Sequence, residues 1–72
     1  MNKKTTEIKI DSEFITLGQF LKFADIIQSG GEAKQFLASH KVVVNREDDN
    51  RRGRKLRPND VIEIEGKSYS IK

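Results

Sequence analysis

The chain has 72 residues and no cysteine, with 14 Lys and Arg against 11 Asp and Glu, a formal charge of +3. That length supports one domain, which on folding buries about 60% of the surface its unfolded chain exposes. Lack of cysteine excludes disulfides, thiolate nucleophiles and cysteine-based zinc sites, and no apolar run nears the ~18 residues that cross a bilayer. The first 20 residues carry no signal-peptide profile, so a reducing cytoplasm is the expected location.

Residues 1–5 read as a frayed terminus. From Thr6 to Ile10, Ile8 and Ile10 face one way and Glu7 and Lys9 the other, the period of a short strand. Thr16 and Gln19 have the spacing of a capping box, and Leu17, Phe20, Leu21, Ala24 and Ile27 follow at helical spacing, with Phe23 and Ile26 widening the stripe. Ser29 and Glu32 repeat the box across Gly30-Gly31, ahead of a second stripe of Ala33, Phe36, Leu37 and His40. So short a connection forces the two helices into a hairpin.

At Lys41 the period changes to two, with Val42 and Val44 on one face and Val43 on the other. Arg57-Pro58-Asn59-Asp60 has turn chemistry, proline being pre-set for the second position. Residues 61–65 and 68–72 read as a hairpin with a type II′ turn at Gly66-Lys67, which sets Ile64 opposite Tyr69 and Ile62 opposite Ile71. The expected fold is α+β: one domain over residues 1–72, with a two-helix hairpin on a small, mostly antiparallel sheet. The strand at 6–10 and the hairpin at 61–72 complete that sheet.

The charge has an address. All five arginines fall within residues 46–57. Residues 41–57 hold seven bases (Lys41, Arg46, Arg51, Arg52, Arg54, Lys55 and Arg57) against three acids, whereas residues 1–40 hold five of each. Guanidinium concentrated on one loop of an otherwise balanced body is the footprint of a phosphate-binding surface, because its planar fork grips two oxygens at once. The competing reading is a solvated loop whose arginines pair with Glu47, Asp48 and Asp49. Neutralising Arg51, Arg52 and Arg54 together is expected to weaken binding across sequences and leave the fold intact. Ser29, Gly30 and Gly31, at a helix start, could hold a phosphate through free amides, or form a capped turn occupied by Glu32.

Other chemistry is scarce. His40, the single histidine, suits a helix C-terminus and has no partners for a metal site. Glu47-Asp48-Asp49 lacks the spaced ligands of a calcium loop, and no nucleophile–base pair appears, so neither catalysis nor a cofactor is expected. Four of the five aromatics fall on or beside helices, which leaves no sheet platform for stacking bases.

The segment LGQFLKFADIIQSGGEAKQFLASHKVVVNREDDNRRGRKLRPNDVIEI resembles the S4-type RNA-binding domain, the alpha-L RNA-binding motif, over about residues 16–65. SGGEAK, VVVNRE and NRRGRKLRPNDVIEIEG are similar to the small stand-alone members of the YaaA and YbcJ type. Leu17, Leu21, Ala33 and Leu37 take the family's apolar positions, Val42, Val44 and Asn45 its V-x-V-N strand end, and Asp60 the acid of its late G-D turn. Thr16 and Gly30 stand where the family often carries arginine, and Arg46 and Asn59 where it often carries glycine. The resemblance implies a non-catalytic protein that recognises structured RNA, ribosomal or ribosome-associated; a monomer is expected. It puts helix two on the RNA side, which adds Lys34, Gln35, Lys41 and Asn45 to Arg46, Arg51, Arg52, Arg54, Lys55 and Arg57 as candidate contacts. An adaptor docking on an acidic protein, or a DNA-binding accessory protein in replication or repair, are the alternatives.

Overall fold

A computed structural model describes residues 5–72, so the fraying expected at residues 1–4 lies outside the described residues. Thr5, by contrast, begins strand β1 (Thr5–Ile8) and pairs with Ser68. The chain continues through β2 (Ile15–Thr16), α1 (Leu17–Phe23), α2 (Glu32–Ser39), β3 (Val42–Val44), β4 (Glu47–Asp48), β5 (Lys55–Leu56), β6 (Val61–Ile64) and β7 (Lys67–Ile71). Five strands make one sheet in the order β1-β7-β6-β3-β4, and β2 and β5 make a separate antiparallel pair. Within the large sheet only β1 and β7 run parallel, so the α+β class and the mostly antiparallel sheet hold. The first strand stops two residues short of Ile10, whose amide still donates to the Lys72 carbonyl at 3.0 Å.

The core lies between the helices and one sheet face. Leu17, Phe20 and Leu21 of α1 and Ala33 and Leu37 of α2 are buried against Val42, Val44, Ile62, Ile64 and Ile71. Phe20 meets Tyr69 edge to face, with ring centroids 5.3 Å apart. Each large side chain fully removed from water contributes about 1.5–3 kcal/mol, which is how so short a chain can hold its helices in place.

Three local expectations need correction. Thr16 caps α1 with the full box to Gln19, but the helix stops at Phe23 instead of running to Ile27. Asp25 turns left-handed at φ 61°, and the amides of Ile26 and Ile27 both fold back to the Leu21 carbonyl, which buries Ile27 without another helical turn. Phe23, expected to widen the apolar stripe, is therefore 59% exposed.

The second box does not form. The N-cap of α2 is Gly31 with no side-chain cap, and Glu32 reaches back past Ser29 to accept from the Gln28 amide at 2.9 Å. The final hairpin turns one residue early. Glu65 and Gly66 have φ of 49° and 82°, the two positive angles of a type I′ turn, which fits the right-handed strand twist. Ile62 then faces Tyr69 and Ile64 faces Lys67. This register differs from the expected one by two residues, so every side chain keeps its face.

Candidate nucleic-acid interface

The arginine-rich segment is tied to the body at several points. Asp49 N donates to Val42 O at 3.0 Å, anchoring the segment to β3. At its far end Lys55 and Leu56 pair with Thr16 and Ile15, and Leu56 is buried. Between these anchors the carbonyls of Arg52 and Arg54 accept from Gly18 N (3.0 Å) and Leu17 N (2.7 Å), two amides of the first turn of α1. Helix amides that would otherwise need a partner are thus satisfied by the loop backbone. Pairs as short as β2 and β5 leave no periodicity in the sequence, so this docking was not anticipated.

Asp49 organises the arginines from inside. Its side chain is only 6% exposed. Oδ1 accepts from Arg51 N (2.9 Å) and Arg51 Nε (3.1 Å), and Oδ2 accepts from Arg51 Nη2 and Arg54 Nη1 (both 2.9 Å). Hydrogen bonds from the Arg51 guanidinium hold the Asp49 carboxyl well below the usual carboxylate range, against the opposing pull of its burial. The same contact raises the Arg51 pKa. The expectation that Arg51, Arg52 and Arg54 can be removed together without harm to the fold fails here. Without Arg51 and Arg54, a buried carboxylate would lose three side-chain donors, at a cost above the ~1–3 kcal/mol of an ordinary unsatisfied group.

Arg52 is arranged differently. Its stem lies against Gly18, and its side chain has no carboxylate partner among the described residues. It borders two shallow grooves. One includes Gln19 and Lys22 of α1 with Gly30 and Gly53, and the other includes Lys34 of α2 with Asn50. Loop and helix two therefore meet in the pair Arg52–Lys34, and helix one adds Lys22. Neither lysine has an ion-pair partner among the described residues.

Lys22 was not singled out from the sequence, and Gln19 only as half of the capping box. A usable signal was present: Gly18 and Lys22 are one turn apart on one helix face, and a glycine inside a helix marks close approach by another segment.

The remaining candidates divide by what holds them. Asn45 is occupied at both ends, donating from Nδ2 to Asp60 Oδ1 (3.1 Å) and accepting at Oδ1 from Val61 N (2.9 Å). Asp60 Oδ2 also accepts from Arg57 N at 2.8 Å, and Asn59 takes φ 81°, so Arg57-Pro58-Asn59-Asp60 is a type II turn closed by its own acid. Arg46 stands exposed at the tip of the β3–β4 hairpin with φ 72°. Lys55 and Arg57 flank the Phe14 ring, at 4.9 and 5.8 Å from its centroid. Lys41 pairs weakly with Asp48 at 3.8 Å, both ends exposed. Gln35 is exposed on α2. At Ser29-Gly30-Gly31 the carbonyls of Ser29 and Gly30 accept from Glu32 N and Ala33 N, and the Glu32 carboxylate sits at the helix start, where it would repel an anion. Of the three, Gly30 shares the Arg52 groove.

Among the described residues, no group of three or more His, Asp or Glu side chains could hold a metal ion, and no helix is long and apolar enough to cross a membrane. His40 caps α2, stacks on Phe36 at 4.1 Å and lies 3.3 Å from Glu65.

A small α+β domain that presents cations on a docked loop and two helices belongs to the class of nucleic-acid-binding modules. The model of the S4 domain matches residues 8–72, and the chain belongs to that family of non-catalytic RNA-binding domains. It is 71% identical over 59 residues to the probable ribosome maturation protein RlbA of Bacillus subtilis (strain 168), a match spanning 82% of this chain and 83% of that protein. No solved structure matches the chain significantly. The resemblance carried by SGGEAK, VVVNRE and the arginine segment is borne out at the level of the family.

Proposed function

We propose that this chain binds structured RNA of a ribosomal particle during maturation, as a cytoplasmic monomer, through the face where Arg52, Lys34 and Lys22 meet. The observation that carries this reading is the Arg52 guanidinium, without a carboxylate partner among the described residues and sharing one groove with a helix-one lysine and another with a helix-two lysine. Cations from three separate segments on one rigid surface can follow a phosphate backbone without reading bases. Arg46 at the hairpin tip, Lys55 and Arg57 beside Phe14, and the exposed Gln35 and Lys41 are further contacts on this reading. The likeness to RlbA supports a role in ribosome maturation.

Binding of purified ribosomal subunits and of bulk ribosomal RNA, followed against salt, tests the proposal. Lys22→Gln, Lys34→Gln and Arg52→Gln together should flatten the slope of log affinity against log salt by about 2, at roughly 0.7 per lost phosphate contact. An unchanged slope would remove this face. Equal competition by duplex DNA at matched salt would favour the DNA reading, and a protein partner retained after nuclease treatment would favour the adaptor.

A further inference from the structure

Two of the three arginines at the heart of the loop are already bound to a carboxylate inside the protein. Asp49 accepts four hydrogen bonds, three from guanidinium nitrogens and one from the Arg51 backbone. Four donors fill about the whole lone-pair capacity of an ionised carboxylate. The edge of Arg51 committed to this contact is its Nε–Nη2 fork, one of the two edges by which a guanidinium grips paired phosphate oxygens. Arg54 turns Nη1 inward and its side chain is only 25% exposed. Arg52, between them in sequence, lies against Gly18 and pairs with no carboxylate among the described residues. The local sequence thus alternates held, free, held across Arg51, Arg52 and Arg54.

We propose that Asp49 is the specificity-determining residue of the RNA-binding face: it stands in for a phosphate inside the protein, takes up the Nε–Nη2 fork of Arg51 and the Nη1 of Arg54, and leaves Arg52 to meet the RNA. The inference rests on the RNA-binding reading above and deepens it. Free arginines bind any phosphate backbone, with a strength set by their number and not by the shape of the ligand. Engaging one edge of Arg51, whose side chain is otherwise 70% exposed, and the inward Nη1 of Arg54 lowers attachment to arbitrary RNA. The same contacts fix the loop backbone that presents Arg52 beside Lys22 and Lys34, so the geometry matched to a folded RNA is kept. An acid within the most basic stretch of the chain is, on this account, what makes the stretch selective.

Asp49→Asn keeps the shape and removes the charge. Poly(U), an unstructured probe, and bulk ribosomal RNA, a folded one, would be titrated over a range of salt with the wild type and with this variant, after circular dichroism has checked folding. The expected result is tighter poly(U) binding, a salt slope steeper by up to about 1.4 (two released arginines at roughly 0.7 each), and a smaller preference for ribosomal RNA. A folded Asp49→Asn protein with an unchanged or shallower slope on poly(U) would overturn the assignment. If that variant does not fold, Arg51→Gln and Arg52→Gln decide the matter. The first should lower the wild-type slope by less than half of what the second does, and equal losses would overturn the proposal. A wild type that binds neither probe at low salt would instead sink the RNA-binding reading itself, and the role of Asp49 with it.

Discussion

Gly18 and Arg52 are fitted to one another: the Gly18 amide donates to the Arg52 carbonyl at 3.0 Å, and a Cβ on Gly18 would come within 2.9 Å of Arg52 Cγ. The other neighbours of that Cβ, Arg52 O at 3.5 Å and Ala33 Cβ at 3.6 Å, are at ordinary contact distance. The position therefore specifies the Arg52 side chain more than it specifies the fold.

Gly18→Ala separates the two roles. Alanine gains about 1 kcal/mol of helix propensity over glycine, which offsets part of the cost of displacing the Arg52 stem, so stability should fall by no more than about 2 kcal/mol. Arg52 must leave its place. Loss of one charge-assisted contact, about 1.5 kcal/mol, should weaken binding to ribosomal RNA about tenfold. Denaturant melts alongside a binding titration check both halves, and wild-type affinity in a folded variant would place the Arg52 side chain outside the interface.

Arg46 should show the opposite trade. Asn45 and Arg46 form the two-residue turn between β3 and β4 at φ 50° and 72°, a type I′ geometry in which the second residue is best as glycine. A residue with a Cβ in this left-handed region carries a strain of about 1–2 kcal/mol. Arg46→Gly should raise stability by roughly 0.5–1 kcal/mol. It should also flatten the salt slope for ribosomal RNA by about 0.7. Greater stability with an unchanged slope would show that the tip carries its charge for another reason.

How much of this was legible depends on the range of the interaction. The Thr16–Gln19 box and the Leu17, Phe20, Leu21 stripe are local patterns, and both appear as read. The faces of β6 and β7 survived a misplaced turn because a register shift of two residues preserves parity. The Ser29 box failed although its spacing was right: Glu32 found the Gln28 amide, and spacing cannot choose between neighbouring donors. The pairing of Asp49 with arginines matches the competing reading of the loop, but its burial was hidden for a different reason. In the sequence it is the last of three consecutive acids, and what buries it is a hydrogen bond to Val42 and two guanidiniums that fold back on it, all fixed by tertiary contacts.

The Asp49 cluster also sets an acid limit. A carboxyl whose folded-state pKa is depressed stabilises the fold above its unfolded value, about 3.9 for aspartate, and loses that contribution as pH falls toward the folded value. The Asp49 carboxyl lies well below that reference, while the arginines stay charged throughout. The stability advantage of the wild type over Asp49→Asn should therefore be constant above about pH 5 and shrink steadily below about pH 4. Denaturant titrations of both proteins at pH 7, 5, 4 and 3 isolate the effect, because the other carboxylates cancel in the difference. A difference that does not vary with pH would mean that Asp49 and its arginines are not an ion cluster in solution.

Asn45 supplies the control for a structural role within the basic segment. Its amide bridges the β3–β4 tip to the Arg57–Asp60 turn, through Asp60 Oδ1 on one side and Val61 N on the other. Asn45→Ala removes both bonds and leaves a left-handed position to a residue that tolerates it less well, so the fold should lose about 1–3 kcal/mol. No cation is removed, and the salt slope for ribosomal RNA should match the wild type within error wherever the variant is folded. This pairing of lower stability with an unchanged slope is the reverse of that expected for Arg46→Gly, one residue away. If Asn45→Ala instead lowered affinity at every salt concentration while the melt stayed unchanged, its amide would be a direct RNA contact.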